Sequence, residues 1–537
     1  MSSVRHAVLD VLRARGITTV FGNPGSTELP MLRDFPADFR YVLGLQEAVV
    51  VGMADGYAQA GGRTALVNLH TGPGTGNAMG AILNARANRT PMVVTAGQQV
   101  RAMLTMEALL SNPQATLLPQ PAVKWAYEPP RPADVAPALA RAVQLAETPP
   151  CGPVFLSLPM DDFEAELTPG ELRAAQAAAE RRVVHAGVPD AETIRSLAGR
   201  ISGARSAVLV VGDDVDAAGP GTWDAVLALA EHTGLPVWAA PVAGRVSFPR
   251  SHPQYRGELP PAIAPLARCL EGHDLVVVIG APVFRYYPYV PGEYLPEGAA
   301  LVLLTRDAEE AARAPVGDAV VADLALTARA LTERLAAGAA AGGGPAQQAG
   351  ETLGEDGRLS PFGALRAVAE GAPAGTLWVN ESPSNVPQFH RATAISAPGS
   401  YLFSAGGGLG YGAAAAVGAQ LAVPERPVVA VLGDGSVHYA VQALWTAARY
   451  NLPVTFVVLS NARYAILQWF AQVERTPGVP GLDIPGLDIT AIATGYGVRA
   501  HRAVDAAEVT KLVRESTARR DGPVLIDVPV ATELPTL

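Results

Sequence analysis

An apolar run, VVAVLG (428–433), leads straight into Asp434, Gly435 and Ser436, and the next apolar run, PVTFVVLS (453–460), stops just before Asn461. If these runs are neighbouring strands, a carboxylate and an amide oxygen stand at adjacent strand ends. Such a pair suits one hard divalent cation, because Mg²⁺ takes about six oxygens, some from protein and the rest from phosphate or water. Gly433 and Gly435 permit close backbone approach, and Ser436 would open a helix whose N-terminus favours an anion. The same residues also make an ordinary strand-to-helix turn with Asp434 as its cap. The motif alone leaves both readings open.

Three residues nearer the N-terminus carry proton chemistry. Glu47 opens the helical pattern QEAVVVGMADGYAQA (46–60), His70 ends the run TALVNLH (64–70), and Ser26 lies in FGNPGSTELP (21–30). Each has a plain reading: a helix-dipole acid, a structural histidine facing a glycine turn, and a helix cap. All three nevertheless fall at carboxyl ends of strands or starts of helices, where a parallel sheet gathers a site. Two glycine-rich stretches fail the familiar phosphate motifs. TGPGTGNAM (71–79) has no Gly-Lys-Ser/Thr after it, and AGGGLGYG (405–412) lacks the spacing and the downstream acid of a dinucleotide fold.

The elements that must position these residues alternate strand and helix, which implies parallel sheets covered on both faces. ITTVFG, YVLGL, TALVNLH and PMVVTAG belong to a first block. SAVLVVG, LPVWAA, DLVVVIG and ALVLLT belong to a second, and VVAVLG, PVTFVVLS and PVLIDV to a third. The fold class is therefore α/β, with three doubly wound parallel-sheet domains expected at 1–180, 181–340 and 341–537. The first boundary is placed within the Ala- and Glu-rich segment 163–190, the second in the Gly/Ala-rich stretch 335–357, which reads as a linker. NARANRTPMVV (84–94) and AARYNLPVTFVV (447–458) echo each other, consistent with duplication of one α/β unit.

Composition narrows the partners. Forty basic and fifty acidic residues give a net charge of −10, which argues against nucleic acid and anionic membranes. Two cysteines are too few for a disulfide framework or a zinc site. With no secretory signal and no membrane-length apolar run, a cytoplasmic protein is expected.

Together, FGNPGSTELP, LQEAVVVGMADGYAQA, NLHTGPGTGNAMGAI, GQQVRAMLTMEALLSN, VKWAYEPP, GAPVFRYYPY, AGGGLGYG and GDGS with Asn461 resemble the thiamine-diphosphate-dependent 2-oxo acid decarboxylases, of the benzoylformate decarboxylase type. The resemblance covers nearly the whole chain. It implies an aminopyrimidine-binding first domain, a middle domain, a diphosphate-binding third domain, and a homotetramer (a dimer of dimers) with active sites between subunits. It implies thiamine diphosphate held through Mg²⁺ (or Ca²⁺) by Asp434, Asn461 and the backbone carbonyl of Arg463. Further cofactor contacts implied are Ser384, Phe403, Gly407, Gly433, Gly435, Ser436, Tyr464, Ala465 and Ile466, with Leu409 as the bulky residue that bends the cofactor. Glu47 matches the acid that exchanges a proton with the aminopyrimidine, and Ser26 and His70 match groups on the substrate side. Leu109, Leu110, Phe403, Leu467 and Phe470 match the apolar substrate pocket.

Departures bear on the substrate. Tyr287 replaces the family's second histidine, and a phenol keeps its proton until about pH 10, so the proton relay must differ. Ile466 replaces a small residue, as in enzymes for smaller aliphatic 2-oxo acids. Pro383 stands where the family has Thr, and the residues matching a second, peripheral metal site are changed, so none is expected. The expected reaction is non-oxidative decarboxylation of a 2-oxo acid to an aldehyde, with carboligation as a side activity. The alternatives are a carboligase or aldehyde lyase on the same cofactor, or a decarboxylase of smaller aliphatic acids.

Overall fold

The apolar runs form strands of three six-stranded sheets, central ones except for YVLGL at an edge, seen in a computed structural model that describes residues 2–284, 287–339 and 350–534. Most of the linker, 340–349, and with it the boundary drawn at 340, lies outside the described residues. The first sheet comprises β1 (Thr19–Gly22), β2 (Arg40–Leu43), β3 (Ala65–Leu69), β4 (Met92–Gln98), β5 (Ala126–Tyr127) and β6 (Pro153–Pro159). The second comprises β7 (Ala207–Val211), β8 (Val237–Ala239), β9 (Tyr255–Glu258), β10 (Leu275–Ile279), β11 (Ala300–Thr305) and β12 (Asp318–Val321). The third comprises β13 (Leu377–Glu381), β14 (Tyr401–Phe403), β15 (Val428–Gly433), β16 (Val454–Ser460), β17 (Arg499–Arg502) and β18 (Val524–Pro529). Every neighbouring pair in these sheets is parallel. Helices on both faces explain the unbroken apolar strands: all of β10, LVVVI, is buried.

Strand order separates the domains into two kinds. The first sheet runs β2-β1-β3-β4-β6-β5 and the third runs β14-β13-β15-β16-β18-β17, the same order. The middle sheet runs β9-β8-β7-β10-β11-β12, the order of dinucleotide-binding folds. Its carboxyl edge is taken up by the first domain: Arg89 pairs with Asp214, with Asp307 at 3.1 Å and with Glu310 at 3.8 Å.

The repeated order gives the sequence echo a structural basis. Helix α1 (Glu47–Gly61) follows β2, and α2 (Thr71–Ala87) joins β3 to β4. Helix α3 (Gly412–Ala422) follows β14, and α4 (Ala465–Val473) follows β16. The two echoing segments end equivalent helices, and both pass through a left-handed residue, Arg89 (φ +55°) and Asn451 (φ +51°). Each reaches the opposite domain. Thr446 Oγ1 donates to the Leu43 carbonyl at 3.0 Å, and Tyr450 OH donates to the Tyr41 carbonyl at 3.0 Å. In return, Asn84 pairs with Gly408 and Asn88 with Ala405.

The first and third domains share one core where α1 crosses α3. This crossing brings backbone against backbone. A Cβ on Gly56 would lie 2.1 Å from the Ala415 carbonyl oxygen, and one on Gly418 would lie 1.8 Å from that of Met53. Glu381, at the end of β13, fixes the start of α3 by accepting from the N–H groups of Tyr411 (2.9 Å) and Gly412 (3.1 Å). Burial outweighs those donors and pushes its carboxyl up to about 7.

Two predictions follow from this packing. Gly418→Ala must part the helices and lowers stability by roughly 3 kcal/mol or more, whereas Gly199→Ala, in the exposed middle of a helix with open space around it, raises it by about 0.5–1 kcal/mol. Thermal and urea unfolding of both variants checks the contrast. For Glu381, the folded protein keeps a proton that the unfolded chain loses from about 4.5 upward. Stability of the apoprotein therefore falls as pH rises from 4.5 to 7, by up to roughly 3 kcal/mol, and levels off above. Urea midpoints across that range should show Glu381→Gln lacking this part of the slope.

Candidate active site

In sheets of this order ligands sit at the carboxyl edge where the chain reverses direction, between the first and third strands. In the third domain that point lies between β13 and β15. Gly433 pairs with Leu459 in the register of β15 and β16, so Asp434 meets the turn after β16. Its Oδ2 accepts from the N–H groups of Asn461 (3.0 Å) and Ala462 (2.6 Å), and its Oδ1 from Gly435 N–H at 2.8 Å. Burial raises the Asp434 carboxyl above its ordinary value, against the pull of those donors. A buried acid held only by neutral donors favours a cation beside it. Asn461 Oδ1 accepts from Arg463 N–H at 3.0 Å, and Ala462 between them is left-handed, φ +58°.

This ligand turn is braced by residues the sequence did not point to. Tyr464 N–H donates to the Leu482 carbonyl and Ile484 N–H to that of Ala462, pairing 462–464 with 482–484. Gly435 lies under the Tyr464 ring, where a Cβ would come within 2.5 Å. The helical turn after Gly433 covers only Asp434–Val437, shorter than the helix expected from Ser436. α4 begins at Ala465, so Asn461 and Arg463 precede it rather than start it. Ser384 lies in the short turn Pro383–Asn385 after β13, and Phe403 ends β14. Leu409 is half-buried between Gly407 (φ +70°) and Gly410 (φ +98°). A carboxylate between two glycines on one turn, with an amide oxygen and a backbone carbonyl on the neighbouring turn, fit a Mg²⁺ ion carrying a diphosphate.

The first domain builds its own cluster at the equivalent point, between β1 and β3. Glu47 begins α1, with Asn23 Nδ2 donating to Oε1 at 3.2 Å and Asn77 Nδ2 to Oε2 at 3.0 Å. Gly74 separates Glu47 from His70: a Cβ there would lie 3.3 Å from His70 Cβ and 3.4 Å from Glu47 Cγ. His70 lies one residue beyond its strand, which stops at Leu69, and takes the N-cap position of α2, whose first turns are formed by TGPGTG rather than a loop.

His70 is held by Glu28, which the sequence reading missed. Glu28 is wholly buried and accepts from Gly25 N–H (2.8 Å), Gly97 N–H (2.9 Å) and Thr27 OH (2.7 Å). It stands 3.0 Å from His70 Nδ1. An ionised carboxylate only accepts, so Nδ1 carries the proton and Nε2 is left for a ligand. Gly25 is needed because a Cβ would fall 2.0 Å from Nδ1. Ser26 is exposed and is not the helix cap; Gly25 occupies that place.

The apolar residues are only partly assembled within one chain. Tyr287 packs on Phe470 with ring centroids 4.8 Å apart, and Ile466 lies half-buried on the same helix. Arg285 and Tyr286 of the same motif lie outside the described residues. Leu109 is 86% exposed, so it touches little of its own chain, and Leu467 and Tyr287 are also exposed. Leu110 is left-handed at φ +69° in the same loop as Leu109. Among the described residues, no hydrogen bond or ion pair joins the Glu47–His70 cluster to the Asp434–Asn461 cluster.

Sequence and structure comparisons give the family. Three family models match: the N-terminal (2–116), central (194–331) and C-terminal (384–528) domains of thiamine pyrophosphate enzymes. Benzoylformate decarboxylase of Pseudomonas aeruginosa is 48% identical over 532 residues, 99% of either chain. The 4-hydroxybenzoylformate decarboxylase of Rhodococcus jostii RHA1 superposes with a TM-score of 0.95 at 44% identity, over 99% of this chain and all of that one. Benzoylformate decarboxylase from Polynucleobacter necessarius gives 0.95 at 40% identity over both full chains. The chain belongs to the thiamine-diphosphate-dependent 2-oxo acid decarboxylases, among the relatives of benzoylformate decarboxylase.

Proposed function

We propose that this protein is a carboxy-lyase that converts a benzoylformate-like 2-oxo acid to an aldehyde and CO₂ without oxidation, and couples aldehydes as a side reaction. The observation that carries this reading is the pair of clusters at equivalent sheet positions, one suited to a metal–diphosphate and one to proton transfer. Bound thiamine diphosphate supplies the electron sink for loss of CO₂. Asp434, Asn461 and the Arg463 carbonyl would hold its Mg²⁺ (or Ca²⁺), with Gly433, Gly435 and Ser436 lining the diphosphate. Leu409 would pack against the bound cofactor, and Glu47, oriented by Asn23 and Asn77, would hold a proton for the aminopyrimidine. His70 offers Nε2, and Ser26 its hydroxyl, to the substrate carboxylate or carbonyl. Leu110, Phe403, Ile466 and Phe470 keep the reacting end apolar, where losing a charge as CO₂ is favoured.

The assembly proposed is the one the family resemblance implies, and the absence of a hydrogen bond between the two clusters among the described residues is in keeping with it. Each chain would lend Glu47 and His70 to a cofactor anchored on its partner, within a homotetramer built as a dimer of dimers. Exposed Leu109, Leu467 and Tyr439 would then be covered. The domain limits 1–180, 181–340 and 341–537 and a cytoplasmic location complete the reading; no helix among the described residues is long and apolar enough to cross a membrane.

The test is CO₂ release from a panel of aromatic and short aliphatic 2-oxo acids, assayed beside aldehyde coupling. Release from benzoylformate, dependent on thiamine diphosphate and Mg²⁺, is expected; coupling without CO₂ release contradicts the reading. Ile466→Ala opens the space above the reacting carbon and should raise kcat/KM for benzoylformate relative to the short acid about tenfold, roughly 1.4 kcal/mol of discrimination. An unchanged ratio, with benzoylformate already preferred by the wild type, removes Ile466 as the residue that limits substrate size.

A further inference from the structure

Residues 404–411, SAGGGLGY, surround Leu409 with glycine, the composition of a loop with wide conformational freedom. The loop is nevertheless gripped from another domain. Asn84, 6% exposed near the end of α2, donates from Nδ2 to the Gly408 carbonyl at 2.9 Å and accepts at Oδ1 from Gly408 N–H at 3.1 Å. One side chain thus satisfies both polar groups of the residue before Leu409. A Cβ on Gly406 or Gly408 would fall 2.6 or 2.7 Å from that same Oδ1, so these glycines serve contact as well as freedom. Asn88 Oδ1 adds a bond from Ala405 N–H at 2.8 Å, and Glu381 holds the far side of the loop through Tyr411 and Gly412.

We infer that Asn84 is a positioning residue for the cofactor: by clamping Gly408 it sets the place of Leu409, although it belongs to the domain that does not bind the diphosphate. The inference rests on the reading of Leu409 as the support of the bent cofactor. The mirror contact strengthens it, because Thr446 and Tyr450, at the equivalent helix end, hold the strand that leads to Glu47. Each domain thereby sets a residue that the other presents. α2 also carries Asn77, which orients Glu47, so one helix holds both Glu47 and the loop that carries Leu409.

The experiment measures thiamine diphosphate affinity, with Mg²⁺ present, for wild type, Asn84→Ala, Leu409→Ala and the double variant, alongside circular dichroism and thermal midpoints. Asn84→Ala should weaken cofactor binding about tenfold, with a smaller loss of kcat at saturating cofactor, and should add less than about twofold to Leu409→Ala. Asn84→Asp supplies a readout that a purely structural role does not move. A protonated carboxyl has the donor and acceptor of the amide, whereas the carboxylate only accepts. Its affinity deficit against wild type should shrink as pH falls through the carboxyl range, and this variant serves should Asn84→Ala fail to fold. Wild-type affinity in Asn84→Ala, equal losses in both Leu409 backgrounds, or a pH-independent deficit in Asn84→Asp overturns the inference. Unchanged affinity in Leu409→Ala removes the Leu409 reading and the inference together, while a loss there without one in Asn84→Ala removes the inference alone.

Discussion

The crossing of α1 and α3 is the contact on which the rest of the molecule depends. Gly56 and Gly418 let the two backbones touch, and the core formed around them belongs to the first and third domains together. Helices this close cannot slide or rotate without collision, because interiors pack at crystal-like density. The two sheets are thereby held in one fixed relation, and the carboxyl edges that carry Glu47 and Asp434 are set along with them. Tyr450, Asn84 and Asn88 then tie each domain to the strand or loop that the other uses in its site.

Neutral groups orient the acids of the site. Glu47 is held by two amides and Asp434 by three backbone N–H groups. A neutral donor fixes direction without neutralising charge, leaving Asp434 available to a cation and Glu47 to a proton. Glu28 is arranged differently: it accepts from two backbone groups and a hydroxyl and uses the remaining capacity to fix the tautomer of His70. The dinucleotide-like middle sheet takes no such part. Its edge is occupied by Arg89 and its carboxylate partners, which fasten the first domain to it.

Features set by local pattern were legible in the sequence. The central strands stood out because, buried on both faces, they are unbroken apolar runs. The pairing of Asp434 with Asn461 was readable because both follow strands that proved to be neighbours in register. Short, polar edge strands such as Tyr255–Glu258 and Arg499–Arg502 carry no such signal. The TGPGTG segment reads as a loop by composition but winds into α2, where Gly74 fits between His70 and Glu47. Glu28 and Asn84 were hidden for a different reason. Their partners lie 42 and 324 positions away along the chain, and only the packed domains bring them together.

We propose that one chain contributes halves to two different sites, and subunit complementation tests this most directly. Glu47→Gln and Asp434→Ala chains carrying different tags would each be nearly inactive alone. Co-expressed and purified as mixed dimers, they should regain thiamine-diphosphate-dependent CO₂ release, at roughly half the wild-type rate per dimer, because one of the two symmetry-related sites draws an intact Glu47 from one chain and an intact Asp434 from the other. Mixed dimers as inactive as either parent would contradict the account and place both residues in a site made by a single chain.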